Sequence, residues 1–207
     1  MITFACFSPH PPLILPTVGS AADRQKVAKT IKALESLAPQ LTKTKPELII
    51  VSSPHPDWGF KVPLYFLAKR YKPDAIKPIL TDFESPQVHF QRGKEMIKNI
   101  PKNKKVAWIA SGDMSHRLKE DGPYGFHLSG PKFDQEFIKL LKRKDIQAIL
   151  NLNSRLVEEA GECGLRSFSM LLGALEADKN NWQPEVLSYE GPFGVGYLVA
   201  NFKIKNK

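Results

Sequence analysis

Cysteine is scarce in this chain: 2 residues among 207, Cys6 and Cys163. Two thiols cannot form a disulfide framework or a four-cysteine zinc site, and no Cys-x-x-Cys pair suggests a finger. The same scarcity points to a reducing, cytoplasmic compartment. Long apolar runs are also missing. None approaches the roughly 18 residues of a membrane helix, so a membrane span is excluded and a soluble protein is expected. The apolar residues 1–7 have no basic residue before them and run straight into Pro9, His10, Pro11 and Pro12, unlike a signal peptide. No low-complexity linker divides the sequence, and residues 1–207 are expected to form one domain.

What is abundant is positive charge: 30 Lys and Arg against 21 Asp and Glu, a net +9. Lysines cluster at 98–105, at 139–144 and at Lys203, Lys205 and Lys207. Neither interleaved aromatic residues nor a recognisable reading helix accompanies them, so they do not read as a nucleic-acid interface. They fall near expected helix ends and the C-terminus, where cations complement the helix dipole and keep a surface solvated.

Hydrophobic spacing sets the coarse architecture. Residues 1–7 read as a strand. Val27, Ile31, Leu34 and Leu37 at helical spacing predict a helix over 21–37, stopped before Pro39. The runs 47–53 and 105–111 have the continuous apolar character of strands buried on both faces. Residues 62–68 and 76–80 are shorter strand candidates, and Ser85 caps a helix to about 98. Helices are expected from Pro131 onward, with Phe133, Phe137, Leu140 and Leu141 as one stripe, and at 146–150, 154–160 and 164–177. Strands follow at 185–189 and 195–204. Strands alternating with helices predict an α/β fold, a central mixed, partly parallel sheet flanked by helices.

Histidine placement is the informative feature. The tetrapeptide Ser-Pro-His-Pro occurs at 8–11 and again at 53–56, each time just past an expected strand. A third strand runs into Ser111-Gly-Asp-Met-Ser-His116. His10, His55 and His116 thus each follow a strand's C-terminal end, the edge at which open α/β sheets bind ligands. Prolines on both sides of His10 and His55 stiffen the backbone, as a preorganised metal ligand requires. Two imidazoles call for an anionic third donor, the two-histidine, one-carboxylate arrangement of non-haem iron. Glu162, between Gly161 and the Gly164 helix start, is the best carboxylate. Cys163 competes with it, and Glu190, Asp57 and Asp113 are weaker candidates.

These residues resemble a known family. The two Ser-Pro-His-Pro segments, Ser111-Gly-Asp-Met-Ser-His116 and Glu162-Cys-Gly-Leu-Arg-Ser are similar to the class III extradiol ring-cleavage dioxygenases of the LigB type. Residues 122–134, Gly-Pro-Tyr-Gly-Phe-His-Leu-Ser-Gly-Pro-Lys-Phe-Asp, also resemble that superfamily, especially its small bacterial members related to Memo.

The resemblance implies Fe(II) held by His10, His55 and Glu162, with His116 as the catalytic acid and base. It implies His127 as a catalytic or substrate-binding residue and Tyr124 as a substrate contact. Substrates would be a small catechol-type aromatic and O2, with neither nucleic acid nor membrane as partner; a homo-oligomer is compatible with it. His89 matches nothing in the pattern and reads as structural or surface. The Memo branch places a cysteine near the carboxylate position, so Cys163 is the alternative ligand and a metal-binding protein without ring cleavage the alternative function. Two histidines and a glutamate also suit Zn(II), and with it a hydrolase.

Overall fold

In a computed structural model, residues 1–178 and 180–205 are described. Six strands form one sheet in the order β3-β2-β4-β1-β6-β5. They are β1 (Ile2–Ser8), β2 (Leu48–Ser53), β3 (Ala75–Leu80), β4 (Val106–Ser111), β5 (Asn181–Glu190) and β6 (Tyr197–Lys205). The pairs β1–β4, β2–β4 and β2–β3 are parallel, whereas β6 joins β1 and β5 antiparallel. The sheet is therefore mixed and largely parallel, and the strands preceding His55, His116 and His10 are consecutive neighbours in it.

Eight α-helices flank the sheet among the described residues: α1 (Ala21–Lys26), α2 (Ala28–Thr44), α3 (Trp58–Leu67), α4 (Pro86–Lys98), α5 (Ser129–Arg143), α6 (Ile146–Leu150), α7 (Ser154–Ala160) and α8 (Leu165–Asp178). Side chains alternate across the central strands, as a two-sided core demands. From β4, Val106, Trp108 and Ala110 join one core cluster with Phe133, Phe168 and Leu171. Ala107 and Ile109 face the other, with Leu34 and Leu37 of α2 and Val62 of α3. No described helix is long and apolar enough to cross a membrane.

Two expected elements differ. The segment 62–68 is not a strand: residues 62–67 are helical, within α3, and Ala68 caps it. A short apolar run fits either form, and Val62 and Phe66, four apart, are both buried on the helix face. The helix expected over 21–37 is two helices, and α2 continues through Pro39 to Thr44. Pro39 sits on the exposed side while the buried stripe of Leu34, Leu37 and Leu41 runs past it. Packing of that stripe offsets the roughly 3 kcal/mol cost of an internal proline.

One edge of the sheet is open. On β3 the Ala75 N–H bonds to Glu47 O of the chain leading into β2, so Ile76, Pro78 and Leu80 turn their backbone nitrogens outward. Pro78 has no N–H to offer there, which blunts the edge against strand addition.

Candidate metal centre

The site lies where β1, β2 and β4 end. Their parallel register, with Ser8 opposite Ser111 and Ser52 opposite Ala110, brings the following loops to one edge. His10 is buried after β1, and its backbone N–H donates to Asp113 Oδ1 at 3.0 Å. Its Nδ1 lies 3.0 Å from Ser111 Oγ. That contact occupies one ring nitrogen and leaves Nε2 facing Cys163 Sγ at 3.8 Å.

His55 is exposed and stands edge-on to His10, with ring centroids 5.3 Å apart and planes at 81°. Its N–H donates to Ser53 Oγ, which in turn donates to the His55 carbonyl. Gly59 in the first turn of α3 permits this tight bend, because a Cβ there would lie 2.0 Å from Ser53 Oγ. Asp57, between His55 and α3, has φ 56°, the left-handed region in which a side chain is strained.

Cys163 completes the cluster from the turn before α8. The Asp113 N–H donates to Cys163 Sγ at 3.2 Å, and the Cys163 and Gly164 N–H groups donate to the Asp113 carbonyl at 3.4 and 3.0 Å. Two glycines allow the loops to touch: a Cβ on Gly112 would sit 2.2 Å from Gly164 Cα.

The potential donor atoms of His10, His55 and Cys163 all lie within 4.8 Å of one another, and so do those of Asp113, His116 and Cys163. Among the described residues Glu162 is in neither group. Its Oε2 accepts the Leu165 N–H at 2.5 Å, at the start of α8, and Oε1 lies 3.9 Å from Arg166. In this structure it is thus the cysteine that approaches the two histidines, while the glutamate faces its own helix. Asp113, weighed from sequence as a weaker ligand, stands in the second group. Asp57 pairs instead with Lys61, and Glu190 accepts from the N–H and hydroxyl of Thr30.

His116 stacks on Tyr124, with centroids 4.9 Å apart and planes at 29°. Its N–H bonds to Ala160 O, and its Nε2 is buried with no hydrogen-bond partner among the described residues. An orphaned buried ring nitrogen beside two sets of donors fits a site for a metal ion or a substrate. His127 belongs to neither group: its Nδ1 accepts the Ser129 N–H and lies 3.9 Å from Glu159. His89 is fully buried in α4, with Nδ1 3.0 Å from Ser85 O and Nε2 3.3 Å from Asp82, outside hydrogen-bonding direction.

Burial governs the protonation states. Burial, then the neighbouring His55, pushes the His10 pKa down to about 3, so the ring is neutral and able to coordinate. Burial raises the Cys163 thiol well above its ordinary range, with Asp113 adding to the rise. Asp113 is pushed up to about 6 and Glu162 to about 7, both mainly by burial. His116 is lowered by burial against the opposing pull of Asp113. A cation would reverse this balance, because it favours thiolate and carboxylate. The imidazoles, thiol and carboxylate of these two groups, which share Cys163, thus fit a transition-metal ion.

Sequence comparison agrees with the geometry. The family described as the catalytic LigB subunit of aromatic ring-opening dioxygenase matches residues 53–200. The chain belongs to that family. A relative in Clostridium acetobutylicum, named Protein CA_C1420, is 31% identical across 94% of this chain and 56% of its own length. The chain thus spans about half the length of that curated relative. The crystal structure of uncharacterized protein JW3007 from Escherichia coli K12 shares the fold. Its TM-score is 0.56 at 13% identity, over 96% of this chain and 99% of that one.

Proposed function

We propose that this LigB-family chain is a metal-dependent protein whose ion is held by His10, His55 and Cys163, with His116 as the acid and base beside it. The observation carrying this reading is the mutual approach of those three donors while the Glu162 carboxylate is engaged at the start of α8. A thiolate with two imidazoles suits Zn(II), Cu or Fe(II). When bound, such an ion supplies Lewis acidity and, for iron or copper, redox capacity to a chelating substrate. The chain's own contribution is positional. Ser111 and Asp113 fix the His10 ring and loop, and Tyr124 supports His116. With its Nε2 unpartnered, His116 can take a proton from a substrate hydroxyl and return one. Tyr124, 60% exposed, offers an aromatic face at the mouth of the site.

The test is metal content and spectrum. Co(II)-substituted wild type should show an intense thiolate charge-transfer band that Cys163→Ser removes and Glu162→Gln leaves in place. Retention of that band in Cys163→Ser sinks the assignment.

A second reading is Fe(II)-dependent extradiol cleavage of a catechol by O2, with Glu162 as the third ligand. What favours it is the burial of Glu162 directly beside Cys163. Iron-loaded protein would then open the ring of some catechol, with loss of turnover in Glu162→Gln. Bound metal without turnover across a broad catechol panel points instead to a metal-binding role exercised through a partner or a modification pathway.

A further inference from the structure

A cavity of about 950 Å³ lies between α2 and α3 and shares no lining residue with the metal cluster. Its volume is in the range of small-molecule sites. From α2 it receives Ile31, Glu35, Ala38 and Thr42, spaced three or four apart along one stripe, with Pro39 and Lys43 beside them. Tyr65 and Phe66 of α3 form the facing wall, and Ile14 closes one end.

Its charge is one-sided. Arg24, Lys43, Lys69 and Arg70 line the cavity against a single carboxylate, Glu35. The Lys and Arg ion pairs among the described residues all lie elsewhere. Lys69 is turned over the Tyr65 ring, 4.7 Å from its centroid, and Arg24 donates to the Gly19 carbonyl. Lys43 and Arg70 are exposed and have no such partner among the described residues. An apolar floor under unmatched cations is complementary to one ligand chemistry, an organic anion with an apolar body.

We propose that this cleft is a second binding site, independent of the metal centre, for an amphipathic organic anion that sets its apolar part on Ile31, Ala38 and Phe66 and its carboxylate or phosphate among Lys43, Lys69 and Arg70. The cleft and the metal site are joined only through the chain. The loop carrying His10 continues into Ile14, and the segment carrying His55 continues into α3.

The experiment titrates the full chain with dodecanoate and with dodecyl phosphate, separating the two head groups, and with inorganic phosphate as a head-only control. Calorimetry or amide NMR should give one saturable site for at least one amphiphile, with inorganic phosphate failing to compete. The double variant Lys43→Glu/Arg70→Glu, at exposed positions where the fold survives, should bind at least tenfold more weakly. Ala38→Trp should fill the cleft and abolish binding, while Cys163→Ala should bind as wild type does. Thermal melting verifies that each variant is folded. Absence of saturation, indifference to the charge reversals, or loss of binding in Cys163→Ala would overturn the proposal. So would self-association that the charge reversals abolish while no amphiphile binds, which would make the cleft a protein contact.

Discussion

Asp134 accepts the backbone N–H of Ser115 at 2.8 Å, one residue before His116. On its other oxygen it accepts the Tyr189 hydroxyl of β5 at 2.5 Å. Ser115 is tied further, its hydroxyl donating to Ala160 O and its carbonyl accepting the Gly196 N–H. The turn that carries His116 is thus bound to α5 and β5 through the buried Asp134 carboxyl, and to α7 and the residue before β6 through Ser115 itself.

Burial pushes the Asp134 pKa up to about 7, against the lowering pull of Tyr189 and Ser115. In the unfolded chain the group titrates near 3.9. Between those values the unfolded state gives up its proton and the folded state keeps it. This contribution to stability is therefore complete below about pH 3.9 and is lost as pH rises to about 7. The full loss is at most about 4 kcal/mol, from some three units at 1.36 kcal/mol each. Asp134→Asn can accept from Ser115 and donate to Tyr189 without titrating. Urea unfolding should show wild type losing stability relative to Asp134→Asn from pH 5 to pH 8. A difference between the two that stays constant over that interval would contradict the account.

The contact between the Gly112 and Gly164 backbones gives a second prediction. Gly112→Ala would place a methyl 2.2 Å from Gly164 Cα, so the Cys163 turn must move away from Asp113. Overpacking of this kind costs about 1–3 kcal/mol. Metal affinity should fall at least tenfold in Gly112→Ala while the far-ultraviolet circular dichroism is retained. Undiminished affinity would show that Cys163 does not depend on this approach.

Aromatic packing under the same edge offers a stability test. Phe7 of β1 is fully buried, stacked on Phe168 of α8 at 4.2 Å and edge-on to Phe202 of β6 at 4.8 Å. Phe7→Ala should lower unfolding stability by about 3–5 kcal/mol. A loss below 1 kcal/mol in denaturant titration would mean that this triad is not the support beneath the His10 loop.

How far the site was legible depended on what kind of signal each residue leaves. The strands before His55 and His116 were readable because sheet burial on both faces writes a continuous apolar run; that they and β1 are neighbours is not written in those runs and lies in the pairing of β4 with both β1 and β2. The helix at 62–67 was not readable, since its apolar run is as short as a strand's and Pro63 lies within it. Spacing could not separate Glu162 from Cys163, because adjacent residues in a glycine-flanked turn point in different directions; in this structure the pairing of Cys163 with Asp113 turns the thiol toward the histidines. Asp134 closes the motif beginning at Gly122, yet its link to Ser115 crosses from α5 to the loop after β4, which no local pattern records.

The protonation state of Cys163 yields the last prediction. Burial and the charge of Asp113 hold its thiol well above the ordinary range, so the metal-free protein carries a neutral sulfhydryl at neutral pH. His10, held at about 3, is already deprotonated there and has no proton to lose. Coordination by sulfur needs the thiolate, so each ion bound must expel one proton from Cys163. Zn(II) affinity should then rise about tenfold per pH unit from pH 6.5 to 8, the slope for one displaced proton. Calorimetry in buffers of different ionisation enthalpy should count about one proton released per ion by wild type and none attributable to sulfur in Cys163→Ala. If the two proteins release the same number, the thiol is not a ligand. The ion would then have to be held by the imidazoles with a carboxylate such as Asp113.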